Sequence, residues 1–181
     1  MEITRYHIED IFSYTPRIFK DDRGSFFESF NHKLFCDAAG RNVEFVQDNQ
    51  STSIEGVVRG LHFQNPPYAQ GKLVRVLKGK VLDVAVDLRK NSATYGQHIA
   101  VELSADNNRV LWIPEGFAHG FSVLENETIF FYKCTAFYQK SAEQTIAWND
   151  PRLNINWKIE HPVLSEKDQL GLAFENFISP F

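Results

Sequence analysis

Disulfide chemistry is the first thing this sequence lacks. Its 181 residues include only Cys36 and Cys134, too few for a disulfide framework and matching no zinc-ligand spacing. A surplus of positive charge is also missing, since 19 Lys and Arg face 23 Asp and Glu for a formal charge of −4. A chain without a basic field is not expected to bind nucleic acid, although a few arginines can still hold a small anion locally. No apolar run approaches the ~18 residues of a membrane span, and the longest lies around Ile129–Tyr132. The opening MEITRYHIED is charged throughout and has no apolar stretch of signal-peptide type. There is no Gly-rich phosphate loop after a strand, no G-x-S-x-G and no H-E-x-x-H, which argues against nucleotide hydrolysis and serine hydrolysis. Repeats, low-complexity tracts and Pro/Gly/Ser linkers are absent as well. The expectation is one domain over residues 1–181, cytoplasmic, with no nucleic-acid or membrane partner.

Aromatic residues are plentiful: 16 Phe, 6 Tyr and 3 Trp, against one Met. Such side chains favour pleated, half-buried surfaces. Short apolar runs recur with turn signals between them, and the spacing predicts strands over 24–30, 43–52, 57–64, 72–77, 81–88, 97–104, 109–113, 120–124, 128–136 and 145–148. In the fifth of these, Leu82, Val84, Val86 and Leu88 share one face and Val81, Asp83, Ala85 and Asp87 the other. Lys78-Gly79-Lys80 resembles a tight hairpin. A short helix is predicted over 31–40, with Asn31 as N-cap and Gly40 just past its end, and another starts near Ser165. About ten strands and two small helices argue for an all-β fold, a closed barrel or double sheet.

Chemistry is sought where polar residues interrupt a core-facing alternation. Val43, Phe45, Gln47, Asn49 and Ser51 share a face that changes from apolar to amide-bearing, which suits either a ligand-facing wall or an outer face beyond the sheet edge. In Arg59-Gly60-Leu61-His62-Phe63-Gln64, Arg59 offers a fork of donors for phosphate or carboxylate, and His62 titrates nearest neutrality. Strict alternation puts these two on opposite faces, so a joint role requires a bulge near Gly60. Pro114-Glu115-Gly116-Phe117-Ala118-His119 places a second His at a strand end, where it serves a site or merely caps a turn. Tyr132 sits in an otherwise apolar strand and its phenol needs a partner if it is purely structural. Ser165-Glu166-Lys167-Asp168 fits a helix capping box, a structural role that competes with any catalytic role for Asp168.

Several blocks together carry a resemblance: QDNQS at 47–51, RGLHFQ at 59–64, QGKLVRVLKGKVLDVAVDLR at 70–89 and LWIPEGFAHGF at 111–121. DDRGSFFES at 21–29, the Tyr132–Tyr138 region and LSEKD at 164–168 follow in the same order. This pattern resembles the dTDP-4-dehydrorhamnose 3,5-epimerase family from about Ile18 to Asp168, and only the tail beyond departs from it. The resemblance implies a cupin-type jelly roll or β-barrel with a few short peripheral helices, associating as a homodimer. It also implies epimerisation of dTDP-4-keto-6-deoxy-D-glucose at C3 and C5, on the way to dTDP-L-rhamnose.

By that resemblance, His62 is the base, Tyr132 the acid on the opposite face, Asp168 the carboxylate paired with the base, and Lys72 the cation near the C4 oxygen. Arg23 and Arg59 match positions that hold the diphosphate, with Gln47, Asn49 and His119 adding hydrogen bonds. Glu28 matches the reader of the thymine edge and Tyr138 the stacking partner of its ring. Glu143 and Lys167 fall at further ligand-binding positions, and part of the 23–28 segment is implied to come from the partner subunit. No cofactor is implied, since protons move and hydride does not. No metal is expected either, because Leu61-His62-Phe63 lacks the second His of metal-binding cupins. Three rivals stay open: a relative that inverts C3 alone or takes another nucleotide sugar, a metal-dependent cupin, and a non-catalytic sugar-binding cupin. The last would be expected to lack the base or the acid, and both are present.

Overall fold

The computed structural model describes residues 1–181 and contains thirteen strands. The first four are β1 (Glu2–Arg5), β2 (Phe12–Thr15), β3 (Ile18–Asp21) and β4 (Gly24–Phe27), followed by helix α1 (His32–Ala39). Then come β5 (Gln47–Ser53), β6 (Val58–Gln64), β7 (Lys72–Lys78), β8 (Lys80–Asp87) and β9 (His98–Ser104). The chain continues through β10 (Val110–Ile113), β11 (Phe117–Val123), β12 (Thr128–Cys134), β13 (Glu143–Thr145) and helix α2 (Glu166–Gln169). One sheet has the order β1-β2-β10-β7-β12-β5 and a second β13-β6-β11-β8-β9, while β3 and β4 form a separate ribbon. Pairing is antiparallel throughout these sheets.

The two sheets face each other across an interior cluster that includes Val74, Val76, Leu111, Ile113 and Phe130 from one and Val81, Ala85, Ile99, Val101 and Phe121 from the other. Each buried Val, Leu, Ile or Phe among them contributes about 1.5–3 kcal/mol. The outer faces are covered as well. Helix α1 starts at Asn31, whose side chain accepts from the Leu34 amide, and ends at left-handed Gly40. Its Phe35 packs edge-on against Trp112 on the outside of the six-stranded sheet. The C-terminal tail lays Leu153, Trp157, Phe174, Phe177 and Phe181 over Leu82, Val84 and Val86 on the outside of the other. Strand β8 is therefore buried on both faces and apolar on the outer one, while its inward row alternates Val81 and Ala85 with the buried carboxylates of Asp83 and Asp87.

Several expectations need correction. Lys78-Gly79-Lys80 is not a hairpin, because β7 and β8 lie in different sheets and Gly79 is the corner between them. Its φ is +77°, and a Cβ there would lie 2.2 Å from Thr128 Oγ1, so glycine is required by backbone and space alike. The strand predicted from Val43 starts at Gln47, since Val43 and Phe45 pack with α1 instead. The strand predicted from Gly120 starts at Phe117, so His119 is a buried mid-strand residue and not a turn cap. The one predicted over 145–148 lies at Glu143–Thr145, and that over 24–30 ends at Phe27. Strands β1 to β3 escaped the pattern: β1 and most of β3 are exposed and show no apolar alternation, and buried β2 is only four residues long.

Candidate active site

Strand β6 carries the bulge that a joint role for Arg59 and His62 requires. His62 pairs with His119 and Arg59 with Phe121, so three steps along β6 match two along β11. The extra residue sits where two glycines meet: Gly60 has φ +129°, and a Cβ on it would lie 2.5 Å from Gly120 Cα. The bulge turns Leu61 outward into the tail-covered cluster, where it is fully buried. Arg59 and His62 are thereby both on the barrel's interior face, beside His119 and Phe121.

His62 Nε2 lies 2.6 Å from Asp168 Oδ1. Asp168 belongs to α2 yet is 4% exposed, because α2 folds back over β6. Its carboxylate also accepts from the Gly60 amide at 3.3 Å and from Ser165 Oγ at 2.6 Å. Burial works to raise the Asp168 pKa, but the hydrogen bonds from His62 and Ser165 outweigh it and hold the carboxyl below its ordinary value. An ionised Asp168 accepts the hydrogen bond of Nε2–H, which leaves the other imidazole nitrogen as an acceptor. Burial is the largest influence on His62 and lowers its pKa below the usual 6.5, against the opposing pull of Asp168. The imidazole is thus neutral at pH 7 and able to take a proton.

Lys72, opposite Cys134 in β12, is on the same interior face, and its Nζ donates to the His62 carbonyl at 3.5 Å. Burial depresses its pKa, while negative charge at Asp83 and Glu143 is among the influences pulling it back up. Tyr132 projects inward from β12, opposite Asn49, and packs beside Phe130. Its hydroxyl makes no hydrogen bond to protein, so it is not a satisfied core phenol; burial pushes its pKa up to about 12. His62 and Tyr132 belong to different sheets and approach the interior from facing walls.

The remaining expected residues form two groups. Asn49 is held by Gln47 at 3.0 Å and itself donates to Cys134 Sγ at 3.6 Å, on the interior rim. Gln47 Oε1 accepts from the Tyr138 amide at 2.9 Å, and the Tyr138 hydroxyl donates to Glu143 at 2.9 Å. Glu143 is ion-paired with Lys167. Arg59 donates to Ser53 Oγ at 3.2 Å. Arg23 and Glu28 stand apart: Arg23 is exposed on the ribbon and bonded to Asp21, and Glu28 follows the ribbon and accepts from Asn31. The ribbon packs over the outer face of the six-stranded sheet, with Arg75 lying 5.3 Å from the Phe27 ring. The structure brings every expected site residue toward the barrel interior and its rim except Arg23 and Glu28.

Two residues were not among those expected at the site. Asp83 is fully buried and receives His119 Nε2 at 3.0 Å. A carboxylate inside a run of valines was the available signal. Ser165 is legible in the sequence only as a cap, and its hydroxyl also donates to the Asp168 carboxylate. No group of three or more His, Cys, Asp or Glu side chains converges on a point that would hold a metal ion. No helix is long and apolar enough to cross a membrane.

Known proteins match this chain over nearly its whole length. The family model described as dTDP-4-dehydrorhamnose 3,5-epimerase matches residues 5–176. The Shigella flexneri dTDP-4-dehydrorhamnose 3,5-epimerase is 55% identical over 174 residues, 96% of each chain. Its Pseudomonas aeruginosa counterpart is 54% identical over 175 residues, again 96% of each. The Legionella pneumophila dTDP-6-deoxy-D-glucose-3,5-epimerase, solved with dTDP-4-keto-L-rhamnose, superposes with a TM-score of 0.94 at 45% identity, covering 98% of this chain and 94% of that one. With the facing sheets, the inward His–carboxylate pair and these matches together, the chain belongs to the dTDP-4-dehydrorhamnose 3,5-epimerase family and has its cupin-like fold.

Proposed function

We propose that this chain, acting as one catalytic unit over residues 1–181, inverts C3 and C5 of dTDP-4-keto-6-deoxy-D-glucose to give dTDP-4-keto-L-rhamnose. The observation that carries the reading is the interior itself. A carboxylate-paired imidazole on one wall faces an unpaired phenol on the other, with a half-buried ammonium beside the imidazole. Both C3 and C5 flank the C4 ketone, so the anion left by removing either proton delocalises onto the C4 oxygen. His62 takes the proton, made more basic by Asp168. Lys72 places positive charge at the developing enolate oxygen, where a preorganised cation is most effective in a dry site. Tyr132, still protonated at neutral pH, returns a proton from the opposite wall.

The diphosphate is held by Arg59 and by Arg23, with Gln47, Asn49 and His119 adding hydrogen bonds. Tyr138 stacks on the thymine, Glu28 reads its edge, and Glu143 and Lys167 close the same end. Since Arg23 is bonded to Asp21 and Glu28 to Asn31, and neither is bonded to its own barrel's interior group, a second copy supplies them, and the working enzyme is a homodimer. The exposed Phe19 and Phe26 on the ribbon agree with a surface that another chain covers. No cofactor, nucleic acid or membrane takes part, and the reaction belongs in the cytoplasm beside the nucleotide pool. The test is incubation with dTDP-4-keto-6-deoxy-D-glucose and NMR assignment of the product. Inversion at both centres is expected, and unchanged sugar would overturn the reading.

A further inference from the structure

The tail that carries Asp168 is fixed to β6 just upstream of the bulge. The Val58 amide donates to the Val163 carbonyl and the Val163 amide to the Gly56 carbonyl, so the two segments run side by side. That register brings Ser165 to the start of α2 beside the Gly60 corner. Its hydroxyl makes two bonds to one residue: it accepts from the Asp168 amide at 3.2 Å and donates to Asp168 Oδ2 at 2.6 Å. With Oδ2 occupied in this way, Oδ1 is the oxygen presented to His62 Nε2 and the Gly60 amide. A helix of four residues has little rigidity of its own, so orientation of the carboxylate depends on these bonds.

We propose that Ser165 is a positioning residue for the base: its hydroxyl orients the Asp168 carboxylate on His62, beyond closing the helix end. The role rests on His62 acting as the base in the reaction proposed above. Capping and catalysis are then not alternatives for this motif. The backbone amide of Asp168 is used for the cap and its carboxylate for the dyad, and one hydroxyl serves both. Loss of the hydroxyl would leave the carboxylate less satisfied, hence more basic and a stronger acceptor, and His62 would hold its proton to higher pH. The other charged and titratable groups facing His62 are Lys72 on β7, Lys167 on α2, Glu143 on β13, His119 on β11 and Tyr132 on β12, and none of them changes in the variants below.

The experiment separates the two uses of the hydroxyl. Ser165→Gly removes the donor, adds no charge and is a tolerated N-cap, whereas Ser165→Thr keeps donor and cap. The readouts are the His62 titration followed by NMR, the acid limb of kcat/KM, and Tm. In Ser165→Gly, both the His62 titration and the acid limb are expected to move up by about half to one pH unit, with Tm nearly unchanged. At pH values above the limb, kcat should fall several-fold with KM unchanged. Ser165→Thr should behave as wild type. A Ser165→Gly enzyme whose His62 titrates as in wild type, with kcat intact, would reduce Ser165 to a cap and overturn the inference. The NMR titration needs no turnover. A shifted titration in a chain whose wild type does not invert the sugar would count against the proposed reaction, and an unshifted one in an active chain against Ser165 alone.

Discussion

His62 and Tyr132 divide the chemistry between two walls, so removing each should fail in its own way. Tyr132→Phe keeps the base and the packing but removes the opposing donor. It is expected to retain solvent-deuterium exchange while losing most inversion, by about 10²-fold or more. Near wild-type inversion would hand the acid role to another group. The pH profile follows from the same side chains. His62, with its pKa lowered below 6.5 by burial, must be neutral, so kcat/KM should fall as pH drops through that lowered value. Lys72 and Tyr132 must both be protonated. Burial lowers Lys72 from 10.5, while Tyr132 is pushed up to about 12, so Lys72 loses its proton first. The alkaline limb should therefore lie below 10.5 and move upward in Lys72→Arg, whose guanidinium stays charged. A limb unmoved by that substitution would remove Lys72 from the assignment.

At the scale of the element, the bulge in β6 decides whether a site exists, because without it Arg59 and His62 would point to opposite faces. Gly120→Ala would place a Cβ 2.6 Å from the Arg59 carbonyl oxygen, where backbone on both strands leaves no room. A loss of about 2–3 kcal/mol is expected, read as a lower urea midpoint with an unchanged slope; an unchanged midpoint would mean that the crossing is loose. The sequence announced this feature only as a requirement attached to Gly60. Its alternation marked β8, β9 and β12 well, because each carries a regular apolar row, turned toward the tail in β8 and toward the interior in β9 and β12. It missed β1 and β3, which are exposed, and it read Gly79 as a hairpin because a chain reversal and a crossing between sheets use the same glycine. PEG at 114–116 reads as a turn, which puts His119 at a strand end, whereas the strand starts at Phe117 and buries it. The His62–Asp168 pair spans 106 positions, beyond the reach of any local pattern, and only likeness to a family placed the two together.

For the whole molecule, the position of Arg23 matters most. It is exposed on a ribbon that lies against the outside of its own barrel, over a groove of about 480 Å³ lined in part by Phe27, Phe30, Arg75 and Phe131. If a partner chain receives that ribbon at its site, variants lacking different halves should rescue one another. Arg23→Ala and His62→Ala, each impaired alone, are expected to recover about a quarter of wild-type activity when unfolded and refolded together, since half the dimers are mixed and each mixed dimer has one intact site. Recovery no greater than the two variants' separate activities would place Arg23 in its own subunit's site or in none.

The central claim is that an enolate forms because His62 removes a proton next to the C4 ketone, and deuterium exchange tests it most directly. The wild-type chain and His62→Ala would each be incubated with dTDP-4-keto-6-deoxy-D-glucose in D₂O, with the C3 and C5 proton signals followed by NMR. The account predicts loss of both signals and appearance of the inverted sugar with the wild type, and neither with His62→Ala. Wild-type protein that exchanges neither position, or a His62→Ala variant that exchanges them at an undiminished rate, would contradict it.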